Sequence, residues 1–253
     1  MALPIKRIEP SHALEDRPAR WRIGLIALAT DHTSERDFAR LSPSDELAVY
    51  VNRVAFSNPT DAENLRAMAP RLAAAAALIL PDEPLDAIAY SCTAASALIG
   101  DDTVRRTIEA AKPGVPVVTP TSGALAAFAK LGASRISLLT PYSESVTSVL
   151  ADYFERMGLG ILNALCLGLE DDRDIARVAP QSIVDAALEA CHPETEALFI
   201  SCTALRAVPV IDGLEARLGL PVVSSNQAMF WQSLRQAGCD LPVSGFGRLL
   251  EGY

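Results

Sequence analysis

The tetrapeptide Ser-Cys-Thr-Ala occurs twice, at Ser91-Cys92-Thr93-Ala94 and Ser201-Cys202-Thr203-Ala204. A short apolar run precedes each copy and a helix-forming stretch follows it. Each cysteine is therefore predicted at the carboxyl end of a strand, at the mouth of a helix. A lone cysteine there is ordinarily a small buried hydrophobe; two in matching contexts point to a pair of sulfurs facing one cleft. Opposed thiols can take a proton from one face of a carbon and return it to the other. A free thiol ionises near pH ~8.5 and a helix N-terminus lowers that value, so some thiolate is expected near neutrality. A thiolate acts as base or nucleophile, with the opposite thiol as acid. Negative charge developing on substrate oxygens needs donors, which Thr93, Thr203, Tyr142 and backbone N–H groups could supply.

Chemistries that need other parts are poorly served. The three lysines, Lys6, Lys112 and Lys130, sit in an N-terminal arm or at helix ends, so a Schiff base is not expected. No Gly-x-Gly-x-x-Gly, P-loop or Gly-x-Ser-x-Gly motif occurs. No histidine pair has metal spacing, and the five cysteines form no Cys-x-x-Cys pair. The expectation is a reaction without cofactor or metal. A net charge of -9 argues against a nucleic-acid partner. No apolar run approaches the ~20 residues of a membrane span, and residues 1–21 lack the apolar core of a signal peptide. That segment reads as an extended arm that could embrace a neighbouring subunit in a homo-oligomer. The odd cysteine count, with no disulfide framework, fits a reducing cytoplasm.

The elements that must position the cysteines alternate along the chain. Strands are expected over 22–29, 46–55, 85–90, 115–118, 135–140, 160–165, 197–201 and 221–224. Helices are expected over 61–80, 94–112 (in one or two pieces), 122–131, 143–157, 174–191, 205–218 and 227–237. Strands followed by helices of this length make βαβ units and parallel sheets. The repeat extends beyond the tetrapeptide. Arg22-Ile23-Gly24-Leu25-Ile26 matches Arg135-Ile136-Ser137-Leu138-Leu139, and Gly114-Val115-Pro116-Val117-Val118 matches Gly219-Leu220-Pro221-Val222-Val223. The matched elements recur in the same order at a spacing of 105 to 113 residues, too long for a solenoid. The predicted fold is α/β: two similar lobes, each a parallel sheet flanked by helices, related by a pseudo-two-fold axis. The expected division is an arm over 1–21, a first lobe over 22–118 plus 226–253, and a second over 119–225. Ligands bind beyond the carboxyl ends of such strands, where the loops are rich in hydroxyl-bearing and small residues.

Several residues fix a family likeness. They are Ala29-Thr30-Asp31, Ser91-Cys92-Thr93-Ala94-Ala95-Ser96, Thr140-Pro141-Tyr142, Asp171-Asp172-Arg173-Asp174-Ile175-Ala176-Arg177-Val178 and Ser201-Cys202-Thr203. On these the chain resembles the aspartate/glutamate racemase superfamily. Within it, the likeness is to the maleate cis-trans isomerase and arylmalonate decarboxylase branch, including ectoine-utilisation proteins. The resemblance implies a small carboxylate substrate and catalytic roles for Cys92 and Cys202. In the isomerases Cys92 would attack the alkene carbon; Cys202 would be the partner acid–base group or, in the decarboxylases, the proton donor. It also implies that Thr93, Tyr142 and Thr203 bind the substrate carboxylate, with Thr30 and Asp31 lining the cleft. Asp172 stands where an isomerase asparagine is expected, and by itself it reads as a helix N-cap. The decarboxylases lack the first-lobe cysteine, so Cys92 favours isomerisation. Three alternatives are kept: malonate-type decarboxylation, racemisation of an amino-acid derivative, and a non-catalytic carboxylate-binding module.

Overall fold

A computed structural model describes residues 3–8 and 12–252. The arm expected over 1–21 falls partly outside these residues. Its described part is without strand or helix up to Arg20, with Leu3, Ile5, Ile8 and Leu14 exposed.

Among the described residues eight strands form two parallel sheets. The first contains β1 (Trp21–Leu28), β2 (Leu47–Val54), β3 (Ala87–Tyr90) and β4 (Val117–Val118), in spatial order β2-β1-β3-β4. The second contains β5 (Arg135–Thr140), β6 (Gly160–Cys166), β7 (Ala197–Ile200) and β8 (Val222–Ser224), in order β6-β5-β7-β8. The orders are identical when four is added to each strand number, so the duplication seen in the sequence is a duplication of topology. Register repeats too: Leu25 pairs with Ala89 as Leu138 pairs with Phe199. The inner strands β1, β3 and β7 are buried at every position, as a parallel strand covered on both faces must be. The edge strands β2 and β6 are partly exposed.

Among the described residues twelve α-helices flank the sheets: α1 (Ser34–Leu41), α2 (Ala62–Arg66), α3 (Leu72–Ala77), α4 (Thr93–Ile99), α5 (Asp101–Glu109), α6 (Pro120–Leu131), α7 (Glu144–Arg156), α8 (Asp172–Ile175), α9 (Pro180–Ala190), α10 (Ile211–Leu218), α11 (Ser225–Gln236) and α12 (Arg248–Gly252). Three expected helices are broken, each near a proline. The 61–80 segment splits around a 3₁₀ turn at Ala69–Arg71 containing Pro70. The 174–191 segment becomes α8 and α9, with Pro180 opening α9. The 205–218 segment is helical only from Ile211, after a 3₁₀ turn holding Pro209. A proline has no N–H to give and clashes with the preceding turn. Between α4 and α5 the chain breaks at Gly100, whose φ of 89° a side chain disfavours. Helices α1 and α12 carried too few periodic apolar residues to be expected.

Helices α6 and α11 follow the last strand of each sheet and open with matching capping boxes, Thr119 with Ser122 and Ser224 with Gln227. They pack on one another along the seam between lobes. Gly123 permits the close approach: a Cβ there would lie 2.8 Å from the Ala228 carbonyl oxygen. Among the described residues no helix is long and apolar enough to cross a membrane.

Candidate active site

In each sheet the strand order reverses between the first and third strands, β1/β3 and β5/β7. Loops leaving the carboxyl ends of such a pair diverge and leave a crevice. The two crevices face each other across the seam. One cavity is lined by Leu28, Asp31, Phe56, Thr60, Leu65, Cys92, Ala94, Tyr142, Asp172, Cys202, Thr203 and Ala204. It unites both cysteines with Asp31, Tyr142, Asp172 and Thr203 of the expected site.

The sulfurs are held differently. Cys92 is the N-cap of α4, its carbonyl accepting from the Ser96 N–H at 3.0 Å, and the Ala95 N–H bonds its sulfur. Cys202 is not followed directly by a helix, contrary to expectation. Instead it takes a φ of 86°, and the N–H groups of Ala204 and Leu205 turn back onto its sulfur. A non-glycine residue held there marks a site where surrounding structure overrides local preference. The Tyr142 hydroxyl also faces the Cys202 sulfur and favours its ionised form. Burial nevertheless dominates at both positions. It pushes the Cys202 thiol up to about 12 and the Cys92 thiol up as well, and the negative charge of Asp172 adds to both rises. Desolvation therefore works against the thiolate expected near neutral pH and outweighs the N–H groups aimed at the sulfurs.

The carboxylates also differ. Asp31 is fully committed: Oδ1 accepts from the N–H groups of Thr33 (2.7 Å) and Ser34 (2.8 Å), and Oδ2 from the Ser34 hydroxyl (2.5 Å). It fixes the start of α1. Asp172 is not the helix cap expected of it. Asp171 takes that part, accepting from the Arg173 N–H at 2.8 Å, and Asp172 is buried behind it. The Thr30 hydroxyl donates to Asp172 Oδ2 at 2.5 Å from the opposite lobe. Burial raises the Asp172 carboxyl to about 6 against that hydrogen bond.

Thr30 and Thr93 stand behind the wall. The Thr93 hydroxyl donates to Ser225 Oγ at 2.8 Å, at the start of α11. Thr203 lines the cavity while donating to the Ser91 carbonyl at 3.2 Å. Sequence reading missed Phe56, Asn58 and Thr60, on a loop between elements whose only local signal was Asn58-Pro59. That loop clasps the other lobe: Asn58 Nδ2 donates to Asp171 Oδ1 at 2.9 Å, and the Thr60 N–H to the Glu170 carbonyl at 2.7 Å. The Asp172 N–H completes the clasp by donating to Asn58 Oδ1 at 3.2 Å. The cavity so enclosed is about 10 Å³, room for roughly one water. Beyond Thr60, Leu65 and Ala94 lies a second cavity of about 170 Å³ walled by Leu98, Val146 and Val149.

Residues 62–250 match the arylmalonate decarboxylase family. A maleate isomerase of Alcaligenes faecalis is 23% identical over 92% of this chain and 97% of its own length. An arylmalonate decarboxylase of Bordetella bronchiseptica is 33% identical over 54% of this chain and 59% of its own. The solved structure of a Nocardia farcinica maleate cis-trans isomerase mutant, with a covalently bound succinylcysteine intermediate, superposes with a TM-score of 0.85 at 23% identity. It covers 92% of this chain and 99% of that one.

Proposed function

The chain belongs to the arylmalonate decarboxylase family, and on that premise we propose that it is a cofactor-independent, cysteine-based isomerase of a small unsaturated carboxylate, of the maleate cis-trans type. The observation that carries this reading is the presence of two thiols, Cys92 and Cys202, in the lining of one interlobe cavity.

The reaction needs no group from outside. Cys92, its proton released to solvent, bonds through Sγ to one alkene carbon as the Cys202 thiol protonates the other and is left as the thiolate. The C–C bond, now single, rotates. Cys202 then removes a proton, the S–C bond breaks, and the alkene re-forms in the trans geometry. Tyr142 and the N–H groups of Ala204 and Leu205 are the donors available to negative charge on the substrate carboxylate, while Thr203 lines the cavity with its hydroxyl committed to the Ser91 carbonyl. Thr30 and Thr93 act from behind the wall, by holding Asp172 and Ser225. A succinylcysteine in a maleate isomerase of the same fold supports the covalent step.

The test is proton NMR of maleate with enzyme in D₂O, beside the Cys92→Ala and Cys202→Ser variants. Fumarate from the wild type alone, with an adduct detected by intact mass in Cys202→Ser, is the expected result; no fumarate from the wild type overturns it. A second reading, decarboxylation of a malonate-like acid, is favoured by the apolar chamber beside the cavity. It would need Cys202 and survive loss of Cys92. The same proposal includes a cytoplasmic enzyme divided into lobes at 22–118 plus 226–253 and 119–225. Contacts of α11 with β3 and β4 support returning it to the first lobe. A homo-oligomer embraced by the arm is tested by size exclusion with and without it.

A further inference from the structure

The cavity holding the two cysteines has an unusual electrical character. Its wall contains Asp31 and Asp172 but, among the described residues, no arginine, lysine or histidine. Asp31 has no oxygen to spare, since its two oxygens already serve the first turn of α1. Asp172 is different. Its Oδ2 accepts from Thr30, while no described residue donates to Oδ1. Beside it on the same wall, Thr60 is buried and its hydroxyl has no hydrogen-bond partner. The Thr60 N–H is held by Glu170 and the Asp172 N–H by Asn58, so both side chains are fixed by one clasp.

A buried hydroxyl left unpaired costs free energy, and Asp172 Oδ1 offers an acceptor to which no described residue donates. A ligand that answers both must bring an N–H donor to Asp172 and an acceptor to Thr60. A second carboxylate supplies only acceptors and adds a negative charge beside an existing one, with no cation in the wall to offset it. A carboxamide has nearly the same shape and supplies both. We infer, resting on the isomerase reading above, that the substrate carries one carboxylate and, at its other end, a carboxamide, with N–H bonded to Asp172 Oδ1 and C=O receiving the Thr60 hydroxyl. Asp172 and Thr60 are then specificity-determining residues, and the substrate class is the half-amide of a cis-unsaturated diacid.

The experiment compares maleamate with maleate as substrates, and succinamate with succinate as unreactive ligands by calorimetry, near neutral pH. For the wild type, kcat/KM for maleamate should exceed that for maleate by about tenfold or more, the penalty expected for an unsatisfied charged partner. Succinamate should likewise bind more tightly than succinate. Asp172→Asn should erase or invert both preferences, and Thr60→Val should weaken succinamate binding. Preference for maleate and succinate in the wild type, or an unchanged preference in Asp172→Asn, overturns the inference while leaving isomerisation standing. If neither alkene is isomerised yet succinamate still binds more tightly than succinate, the isomerase reading fails and the end-group assignment survives. Failure of succinamate to bind overturns the assignment.

Discussion

The Thr203 hydroxyl donates to the Ser91 carbonyl at 3.2 Å, so the residue after one cysteine is tied to the residue before the other. The bond crosses the seam, and Asn226 reinforces it by donating to the Thr203 carbonyl at 2.9 Å and to Asp37 at 2.9 Å. In the proposed mechanism, proton relay between the two thiols depends on their relative placement, which this bond helps fix. Thr203→Val keeps the shape and removes the donor. It should cost about 1 kcal/mol of stability, with a loss in kcat larger than any change in KM. Thermal melting and steady-state kinetics check this; an unchanged kcat would mean the lobes are registered by other contacts.

Reactivity of the thiols should show their burial. Cys202 is pushed up to about 12, with Cys92 raised as well, chiefly by desolvation. Alkylation of the unliganded enzyme by iodoacetamide, followed residue by residue, should therefore climb continuously through the neutral and mildly alkaline range. A plateau near neutrality would show that a thiolate is already present. Asp172→Asn removes a negative charge that raises both thiols, and alkylation at a given pH should be faster in that variant.

Two buried carboxyls should make stability fall with rising pH. Asp37 and Asp172 are each raised from 3.8 to about 6, in both cases mainly by burial. The folded state therefore holds protons that the unfolded chain releases between those values. Each group's destabilising effect is absent below the unfolded pKa and fully developed above the folded one, about 3 kcal/mol per group for a shift of this size. Asp172→Asn keeps an acceptor for Thr30 and abolishes the charge. Its melting temperature relative to wild type should rise on going from pH ~4 to pH ~8. Equal differences at both pH values in calorimetry would refute this.

The helix contact at the seam can be tested by one methyl group. Gly123→Ala places a Cβ 2.8 Å from the Ala228 carbonyl, and both partners there are backbone that cannot swing aside. Overpacking of this kind costs about 1–3 kcal/mol. Melting should drop by several degrees, with a greater loss of activity than a surface substitution of equal cost produces. The same substitution at Gly213, where a Cβ meets nothing within 4 Å, is the control.

All eight strands were legible in the sequence because buried parallel strands are continuous apolar runs with turn residues at each end. Helix boundaries were less so. Pro70 and Pro180 cut segments whose periodicity read as continuous, and α1, with Phe38 and Leu41 as its buried apolar residues, gave too weak a pattern. The site divided along similar lines. Cys92 and Cys202 announced themselves by a repeated tetrapeptide, and Tyr142 by its place after β5. Beyond the turn signal of Asn58-Pro59, nothing local marks Asn58 or Thr60, since their importance comes from a loop that meets residues over a hundred positions away.

The sequence alone determined the duplicated α/β lobes and the pairing of the two cysteines, because a repeat and a hydrophobic period are written into neighbouring residues. Only the tertiary structure decided what surrounds the sulfurs. Desolvation and contacts across the seam depend on the cavity between the lobes, where burial raises both thiols, the first turn of α1 engages Asp31, and no described residue donates to one oxygen of Asp172.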